Sequence, residues 1–331
     1  GVLCEPEQMK PDGNFPTAAS PNPEEGAALS RAIAMAEREG AELVLATDPD
    51  GDRLGIAVKH DGEFVLITGN QLCCILGEYI LAQQGAQGRA PKWPGVVSTI
   101  VTTPLLAEIA EHHGAAYENV LTGFKWIAAT IRKWAAMQDG PTFVYGTEES
   151  YGFMIGDHCR DKDGIVASCI TAEAACWAKS RGMTLVDVLH SLYLRHEPRL
   201  EWQKPVTLKG REGAEKIRTL MEELNADPPR SVAGVPTRQV TLVQTGRVLD
   251  GQTHEQTGTI DLPSSNVVIL DLADGSKVVA RPSGTEPKIK FYFFLSAEPQ
   301  LDRFGVTSAL TMLHQKKPEF EKAFLKDIGM E

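Results

Sequence analysis

The feature that most limits how this chain can fold is the hexapeptide at positions 48–53, which reads DPDGDR. It places three carboxylates at alternate positions between two short apolar segments, 43–46 and 54–58, that are typical of buried strands. Carboxylates at this spacing repel one another unless a positive charge lies among them. Oxygen ligands are those that a hard divalent cation prefers, and Gly51 allows the tight turn that brings the acids together. The segment therefore predicts a cation-binding loop between two strands.

Two other interpretations of this loop compete with a metal site. A solvated acidic turn also accounts for its Asp, Pro and Gly content. An EF-hand loop begins D-x-D-x-D-G, but the sixth position here is Arg53 and the twelfth is Lys59, where Gly and a bidentate Glu are needed. A guanidinium beside a metal loop instead suits a phosphate that the metal also contacts. We therefore expect the acids to hold a metal and Arg53 to face a phosphate.

The composition of the chain limits the kinds of molecule that it is expected to bind. The 331 residues carry a formal net charge of −11, which argues against nucleic acid or an anionic membrane as a general partner but permits a small anionic substrate. No apolar run reaches membrane-spanning length. None of the six cysteines forms a C-x-x-C pair, which is typical of reduced thiols in a cytoplasmic protein. The length predicts two or three domains.

The middle of the chain alternates strand and helix patterns, as a parallel sheet with crossover helices requires. A strand at 142–145 ends in GTEESYG, where Glu148 and Ser150 have the spacing to bind neighbouring hydroxyls of a sugar. A helix-capping motif is the alternative. Further on, RDKDG opens a helix, and Arg160 and Lys162 are either a solvated helix start or groups that reach an anion.

The last part of the chain groups its strand patterns apart from its helices, which favours a small α+β domain with an antiparallel sheet. Strands are predicted at 240–243, 267–272, 277–280 and 288–295. The loop at 281–288 reads RPSGTEPK. It combines backbone amides, hydroxyls and cations, which together favour a phosphate. An ordinary tight turn is the alternative.

Three loops thus follow in order: an acidic loop, a Glu-x-Ser loop and a basic, hydroxyl-rich loop. They resemble the α-D-phosphohexomutase superfamily, most closely the bacterial α-phosphoglucomutases and phosphomannomutases. The resemblance rests on six stretches: ATDPDGDRLGIAV, TGNQ, LTGFKWI, GTEESYGF, RDKDGI and RPSGTEPKIKFYF. It implies two α/β domains, the first truncated, and then a small α+β domain with an antiparallel sheet. The implied bounds are 1–67 for the end of the second family domain, 68–203 for the third and 204–331 for the fourth.

The resemblance also implies an activity, that of an isomerase which acts as an intramolecular phosphotransferase in carbohydrate metabolism. Glucose 1-phosphate and glucose 6-phosphate would interconvert through a phosphoserine and a hexose bisphosphate intermediate, with Mg²⁺ as cofactor. The implied metal ligands are Asp48, Asp50 and Asp52. The implied catalytic residues are Arg53, against the transferring group, and Lys125, as a participant in proton transfer. The implied substrate-binding residues are Glu148 and Ser150 for sugar hydroxyls, and Arg281, Ser283, Gly284 and Thr285 for the unreacting phosphate.

One departure from the family pattern is large. The family's catalytic serine lies well upstream in T-A-S-H-N-P, whereas only 47 residues precede Asp48 here. Ser20 lies in a superficially similar segment without the His, so it does not take the nucleophile role. We therefore expect the phosphoserine domain to be a missing N-terminal part of the same protein. The fragment alone is expected to be inactive and to bind Mg²⁺ weakly.

Several alternatives remain open at this point. Phosphomannomutase and phosphopentomutase activities belong to the same superfamily, and the Glu-x-Ser pair does not separate glucose from mannose. A non-catalytic sugar-phosphate binding module would keep the loops without the chemistry. A Ca²⁺-binding structural protein would need only the acidic loop.

Overall fold

The computed structural model describes residues 1–284 and 286–330 of the chain. It divides into two compact units, the first comprising Gly1–Leu192 and the second beginning at Tyr193. The first unit contains two sheets with helices, and the second contains one antiparallel sheet with helices. The predicted fold class is therefore confirmed.

The first sheet is a small antiparallel one that carries the acidic loop. Its strands, in spatial order, are β1 (Leu43–Thr47), β2 (Leu54–His60) and β3 (Glu63–Ile67). Thr47 pairs with Leu54, so the loop between them closes a hairpin, as the two apolar segments predict. Because paired strands fix both ends of the loop, its acidic side chains have little freedom to move apart.

Helix α1 (Gly26–Glu39) covers this sheet by burying Leu29 and Ala36 beside strand residues Val44 and Ala57. It ends at Gly40, whose φ of 70° lies in the left-handed region that glycine tolerates. The preceding Asn-Pro-Glu segment is not helical. It forms a separate turn, and that turn is important for the site described below.

The second sheet follows the alternation of strand and helix that the sequence indicates. Its strands are β4 (Pro94–Thr99), β5 (Ala116–Val120), β6 (Thr142–Glu148) and β7 (Gly152–Ile155), in the order β5-β4-β6-β7. The first three are parallel, and β7 returns antiparallel beside β6. Strand β4 is buried along most of its length, which explains its continuous apolar sequence.

The helices of this part belong to the first unit, except that the last one runs past Leu192 into the second. They are α2 (Gly69–Ala86), α3 (Leu105–His112), α4 (Phe124–Ala135), α5 (Gly164–Lys179) and α6 (Leu185–Arg195). A capping box between Thr68 and Gln71 starts α2. Two of the predicted site motifs lie where a helix starts: LTGFKW leads into α4, and RDKDG leads into α5. The fold therefore gathers polar loops at helix N-termini and strand ends.

The second unit is built on a long antiparallel sheet. Its strands are β8 (Arg199–Thr207), β9 (Ser231–Val232), β10 (Val235–Leu242), β11 (Arg247–Asp250), β12 (Gln256–Thr259), β13 (Val268–Leu272), β14 (Lys277–Pro282) and β15 (Lys288–Ser296). The main path runs β12-β11-β10-β13-β14-β15-β8, and β9 pairs with β10. Its helices are α7 (Gly210–Ala226) and α8 (Arg303–Asp327).

A hydrophobic cluster of this unit lies on one face of β15, and Tyr292 and Phe294 on the opposite face are buried as well. Ile289, Phe291, Phe293 and Leu295 alternate along β15 and are fully buried, as their spacing predicts. Phe293 stacks on Trp202 of the neighbouring strand with ring centroids 4.8 Å apart. The loop between β14 and β15, which is the predicted phosphate loop, is therefore anchored to the most buried strand of the unit.

Within the described part of the chain, we find no helix long and apolar enough to cross a membrane.

Candidate functional site

The acidic loop folds around the buried carboxylate of Asp48. Its Oδ1 accepts hydrogen bonds from the backbone N–H groups of Asp52 at 3.1 Å and Arg53 at 3.0 Å. Gly51 takes a φ of 72°, which allows the chain to turn back toward this oxygen. One oxygen atom from each of Asp48, Asp50 and Asp52 then lies within 4.8 Å of the others. The three predicted metal ligands are thus brought together, and three converging carboxylates fit a hard divalent cation.

Arg53 is the first of two cations that contact this cluster. Its Nε donates to Asp48 Oδ2 at 2.7 Å, and its Nη1 donates to Glu24 Oε1 at 3.1 Å. Burial alone would raise the pKa of Asp48, but the hydrogen bonds and charge of Arg53 outweigh it and hold that pKa below its ordinary value. Asp48 is therefore ionised at neutral pH, and the guanidinium is fixed in direction by two carboxylates.

The second cation is Lys162, from the RDKDG motif. Its Nζ donates to Asp52 Oδ2. Burial would lower the pKa of Lys162, but the hydrogen bond and charge of Asp52 raise it above the usual value. The sequence left open whether this lysine is solvated or reaches an anion. The structure places it on a carboxylate of the acidic loop, a contact that the sequence did not predict.

The backbone explains why Lys162 arrives at this position. The N–H of Gly164, the first residue of α5, donates to Gly51 O at 3.0 Å, and Asp163 N donates to Phe153 O at 2.8 Å. A Cβ on Gly164 would lie 2.7 Å from the carbonyl oxygens of both Gly51 and Arg53. Only glycine permits this approach, which sets the RDKDG segment directly against the acidic loop.

The GTEESYG loop is joined to the acidic loop through the backbone. Arg53 and Gly152 form an antiparallel bridge, and Leu54 N donates to Tyr151 O at 3.0 Å. Tyr151 has a φ of 65°, in the left-handed region that a side chain of this size rarely adopts. The three motifs that were separate in the sequence therefore form one cluster within the first unit.

Glu148 and Ser150 lie at the end of β6 and in the turn that follows. Glu148 is 5% exposed, and its Oε1 accepts a hydrogen bond from the N–H of Gly123. Gly123 precedes α4 and has a φ of 119°. The carboxylate thus contacts the start of α4, which precedes the loop in the chain, whereas Asp163 caps α5, the helix that follows the loop. Ser150 is half-buried in the turn.

Lys125 lies in the first turn of α4, two residues after Gly123. Its side chain is exposed, and its Nζ lies 5.1 Å above the Trp126 ring. The hydrogen bond between Glu148 and Gly123 therefore joins the Glu-x-Ser loop to the loop that carries Lys125.

The predicted phosphate loop belongs to the second unit, where it joins β14 to β15. Arg281 is half-buried and its Nη1 donates to the Tyr292 hydroxyl at 3.4 Å. The N–H of Ser283 donates to Lys288 O at 2.7 Å, and Ser283 and Gly284 are exposed. Thr285, also predicted for this loop, lies outside the described residues. The arrangement presents a guanidinium and a hydroxyl residue at a hairpin turn.

One neighbour of the site was missed by the sequence reasoning. Glu24, together with Asn22, contacts Arg53 from the turn that precedes α1, with Asn22 Oδ1 3.4 Å from the guanidinium. An Asn-Pro-Glu-Glu run ahead of an apolar helical pattern predicts that its Asn, here Asn22, is the N-cap of α1, but this prediction is wrong. The helix begins at Gly26, and Asn22 Oδ1 instead accepts from Glu24 N at 3.1 Å. The Asn-Pro-Glu-Glu run was the only sequence signal for this contact. An acid just before a helix can either cap that helix or pair with a cation, and the sequence does not distinguish the two.

Comparison with known proteins agrees with this arrangement. Residues 1–62 match the family model described as phosphoglucomutase/phosphomannomutase, alpha/beta/alpha domain II, and residues 68–196 match that for domain III. The chain is 37% identical over 301 residues to a phosphoglucomutase of Staphylococcus aureus strain MRSA252, covering 89% of this chain and 52% of that protein. The chain spans about half the length of the curated relatives it matches.

Solved structures show the same fold. A phosphoglucomutase/phosphomannomutase family protein from Burkholderia thailandensis superimposes with a TM-score of 0.57 at 18% identity, covering 96% of this chain and 53% of that one. The phosphoglucomutase parafusin of Paramecium, in an open form, gives a TM-score of 0.55 at 17% identity, covering 90% of this chain and 50% of that one.

Proposed function

Since the chain belongs to the phosphoglucomutase/phosphomannomutase family of the α-D-phosphohexomutase superfamily, we propose that it supplies the metal, sugar and phosphate loops of a Mg²⁺-dependent α-phosphoglucomutase. The parent enzyme interconverts glucose 1-phosphate and glucose 6-phosphate through a phosphoserine and a hexose bisphosphate. The observation that carries this proposal is the backbone bridge between Arg53 and Gly152. This bridge joins an acidic loop suited to a metal ion to a loop whose side chains are suited to sugar hydroxyls.

The residues of the acidic loop have distinct tasks in this proposal. Asp48, Asp50 and Asp52 hold the divalent cation, whose chemistry, when bound, is to neutralise charge on phosphoryl oxygens. Arg53, held by Asp48 and Glu24, presents its guanidinium to the transferring phosphoryl group. Such transfers depend mainly on positioning and charge stabilisation. A guanidinium that is already oriented reduces the reorganisation needed in the transition state.

The remaining loops bind the ends of the substrate. Glu148 and Ser150 bind sugar hydroxyls at the strand end. Arg281, Ser283, Gly284 and Thr285 bind the phosphate that is not reacting. Lys125, at the start of α4, takes part in proton transfer. We also propose that the chain comprises three family domains, at residues 1–67, 68–203 and 204–331.

We propose that the phosphoserine belongs to an N-terminal domain of the same protein, and that the protein acts in the cytoplasm. The 331-residue chain mixed with glucose 1-phosphate, Mg²⁺ and glucose 1,6-bisphosphate is then expected to form no glucose 6-phosphate. Substantial turnover that disappears in Ser20→Ala would contradict this. The parent enzyme can be compared on glucose, mannose and pentose phosphates. If it acts best on a mannose or a pentose phosphate, it is a phosphomannomutase or a phosphopentomutase instead.

Binding provides the direct test on the chain itself. Calorimetry with glucose 1,6-bisphosphate and Mg²⁺ is expected to show about tenfold weaker binding for Glu148→Gln, because a charge-assisted hydrogen bond to a hydroxyl is lost. Glu63→Gln, at an exposed position on β3, serves as the matched control and is expected to bind like the unmodified chain. Equal binding by all three proteins would leave the sugar-site assignment without support. Binding without turnover by the full-length protein would favour the sugar-phosphate binding module.

A further inference from the structure

Lys162 provides a positive charge that no proposed step uses. Its side chain is 25% exposed and Asp52's is 26% exposed, so water screens their contact only in part. The backbone hydrogen bonds of Asp163 and Gly164 deliver the lysine to the acidic loop from the start of α5. The contact therefore follows from the fold, since the residues on either side of the lysine are themselves fixed.

The position of Lys162 determines what a cation must do to enter the loop. The three acids of the loop and its two basic groups leave one net negative charge, and Glu24 beside Arg53 and Asp161 beside Lys162 bring the total to three. The cluster therefore still attracts a divalent cation. A cation that binds the Asp52 oxygen held by Lys162 must, however, displace the ammonium.

The two basic groups differ in how easily they can withdraw. Arg53 contacts Asp48 and Glu24 through its side chain and Gly152 through its backbone. Lys162 Nζ contacts Asp52, with Asp161 3.7 Å away, and sits at the end of a flexible four-carbon stem. Displacing the ammonium breaks its hydrogen bond to Asp52, whereas displacing the guanidinium breaks ion pairs to both Asp48 and Glu24.

We propose that Lys162 is an internal counter-cation, which occupies Asp52 while the loop holds no metal and is displaced when a divalent cation binds. This inference rests on the proposed function, because it takes the acidic loop to be the metal site. It predicts weak Mg²⁺ binding by the chain alone, since the metal must first release the lysine. An anionic phosphate that enters with the metal gives the released ammonium another partner, so metal and substrate are expected to bind cooperatively.

Titration calorimetry of the 331-residue chain with Mg²⁺ alone tests the proposal. Lys162→Met is expected to raise the association constant about fivefold, because the cost of breaking a partly exposed ion pair is removed. Lys162→Arg keeps the charge and is expected to bind like the unmodified chain. Lys179→Met is the matched control. It removes the lysine at the far end of α5, which pairs with Glu42, and is expected to change the constant less than about twofold.

Asp52→Asn separates failure of this proposal from failure of the metal site. If Asp52→Asn weakens Mg²⁺ binding while Lys162→Met leaves it unchanged or weaker, the counter-cation proposal is wrong and the metal site stands. If Asp52→Asn has no effect, or if neither the unmodified chain nor Lys162→Met binds Mg²⁺, both are wrong. A fivefold gain that also appears in Lys179→Met would be a general charge effect and would overturn the assignment to Lys162.

Discussion

The chain contains two polar loops that each close an antiparallel hairpin, at 48–53 between β1 and β2 and at 281–288 between β14 and β15. The acidic loop contains Asp48, which is only 6% exposed, and is held by contacts from distant segments. The basic loop exposes Ser283 and Gly284, and its described residues are shaped by backbone hydrogen bonds within the hairpin and by one from Leu208 N to Pro287 O. Three like charges that converge around one buried carboxylate require fixed partners, whereas separated charges on an exposed turn remain hydrated.

This difference predicts that the two loops respond differently to mutation. Changes in the acidic loop are expected to affect folding as well as binding, because its polar groups stabilise one another. Changes in the basic loop are expected to affect binding alone. The following predictions test the contrast, beginning with the largest effect.

Asp48→Ala is expected to destabilise the first unit by about 3 kcal/mol. The substitution leaves the Arg53 guanidinium and two backbone N–H groups without their acceptor in a partly buried place. Urea unfolding without metal measures the free energy. Arg281→Ala is the counterpart in the basic loop, and its cost is expected to stay below about 1 kcal/mol. Equal costs for both variants would remove the contrast between the loops.

Gly164→Ala is expected to cost about 2 kcal/mol, because its Cβ would press on the carbonyl oxygens of Gly51 and Arg53. Gly284→Ala is the matched substitution, since a Cβ there meets nothing within 4 Å, and it is expected to change stability by less than about 0.5 kcal/mol. Thermal unfolding of both variants gives the comparison. A Gly164→Ala protein as stable as the original would show that the acidic loop tolerates displacement.

The pH dependence of stability supplies the smallest effect. Arg53 holds the folded-state pKa of Asp48, against the effect of burial, below the unfolded value of 3.8. Its stabilisation is therefore fully present above about pH 4 and is lost as the pH falls through the folded-state pKa. Asp48→Asn is expected to flatten the acid limb of the unfolding free energy. Asp61→Asn, at the exposed β2–β3 turn, is expected to leave that limb unchanged.

Much of the fold was predictable because its patterns are local. The two apolar segments around DPDGDR predict the β1–β2 hairpin, and the alternation in β15 predicts its buried face. Helix α8 and the edge strand β12 were missed. The helix has a buried stripe diluted by polar residues and a proline at position 318, and the strand reads QTGT and buries little.

The site was predictable to a different extent. The convergence of Asp48, Asp50 and Asp52 follows from their spacing and a glycine turn, so the sequence indicates it directly. The contacts of Arg53 with Glu24 and of Asp52 with Lys162 depend on how distant segments pack, and no local pattern encodes them. The roles assigned to Lys125, Glu148, Ser150 and the basic loop stay predictions until binding is measured.

The contact between Asp52 and Lys162 joins residues 110 positions apart in the chain. Between them lies the whole parallel sheet, which must form before the two segments meet. The entropy of closing so long a loop is recovered only after the intervening strands have docked. The ion pair between Lys162 and Asp52 is therefore expected to form late in folding, after the acidic hairpin, whose two strands are neighbours in sequence. Until then, Arg53 and water alone offset the repulsion between Asp52 and the other two acids.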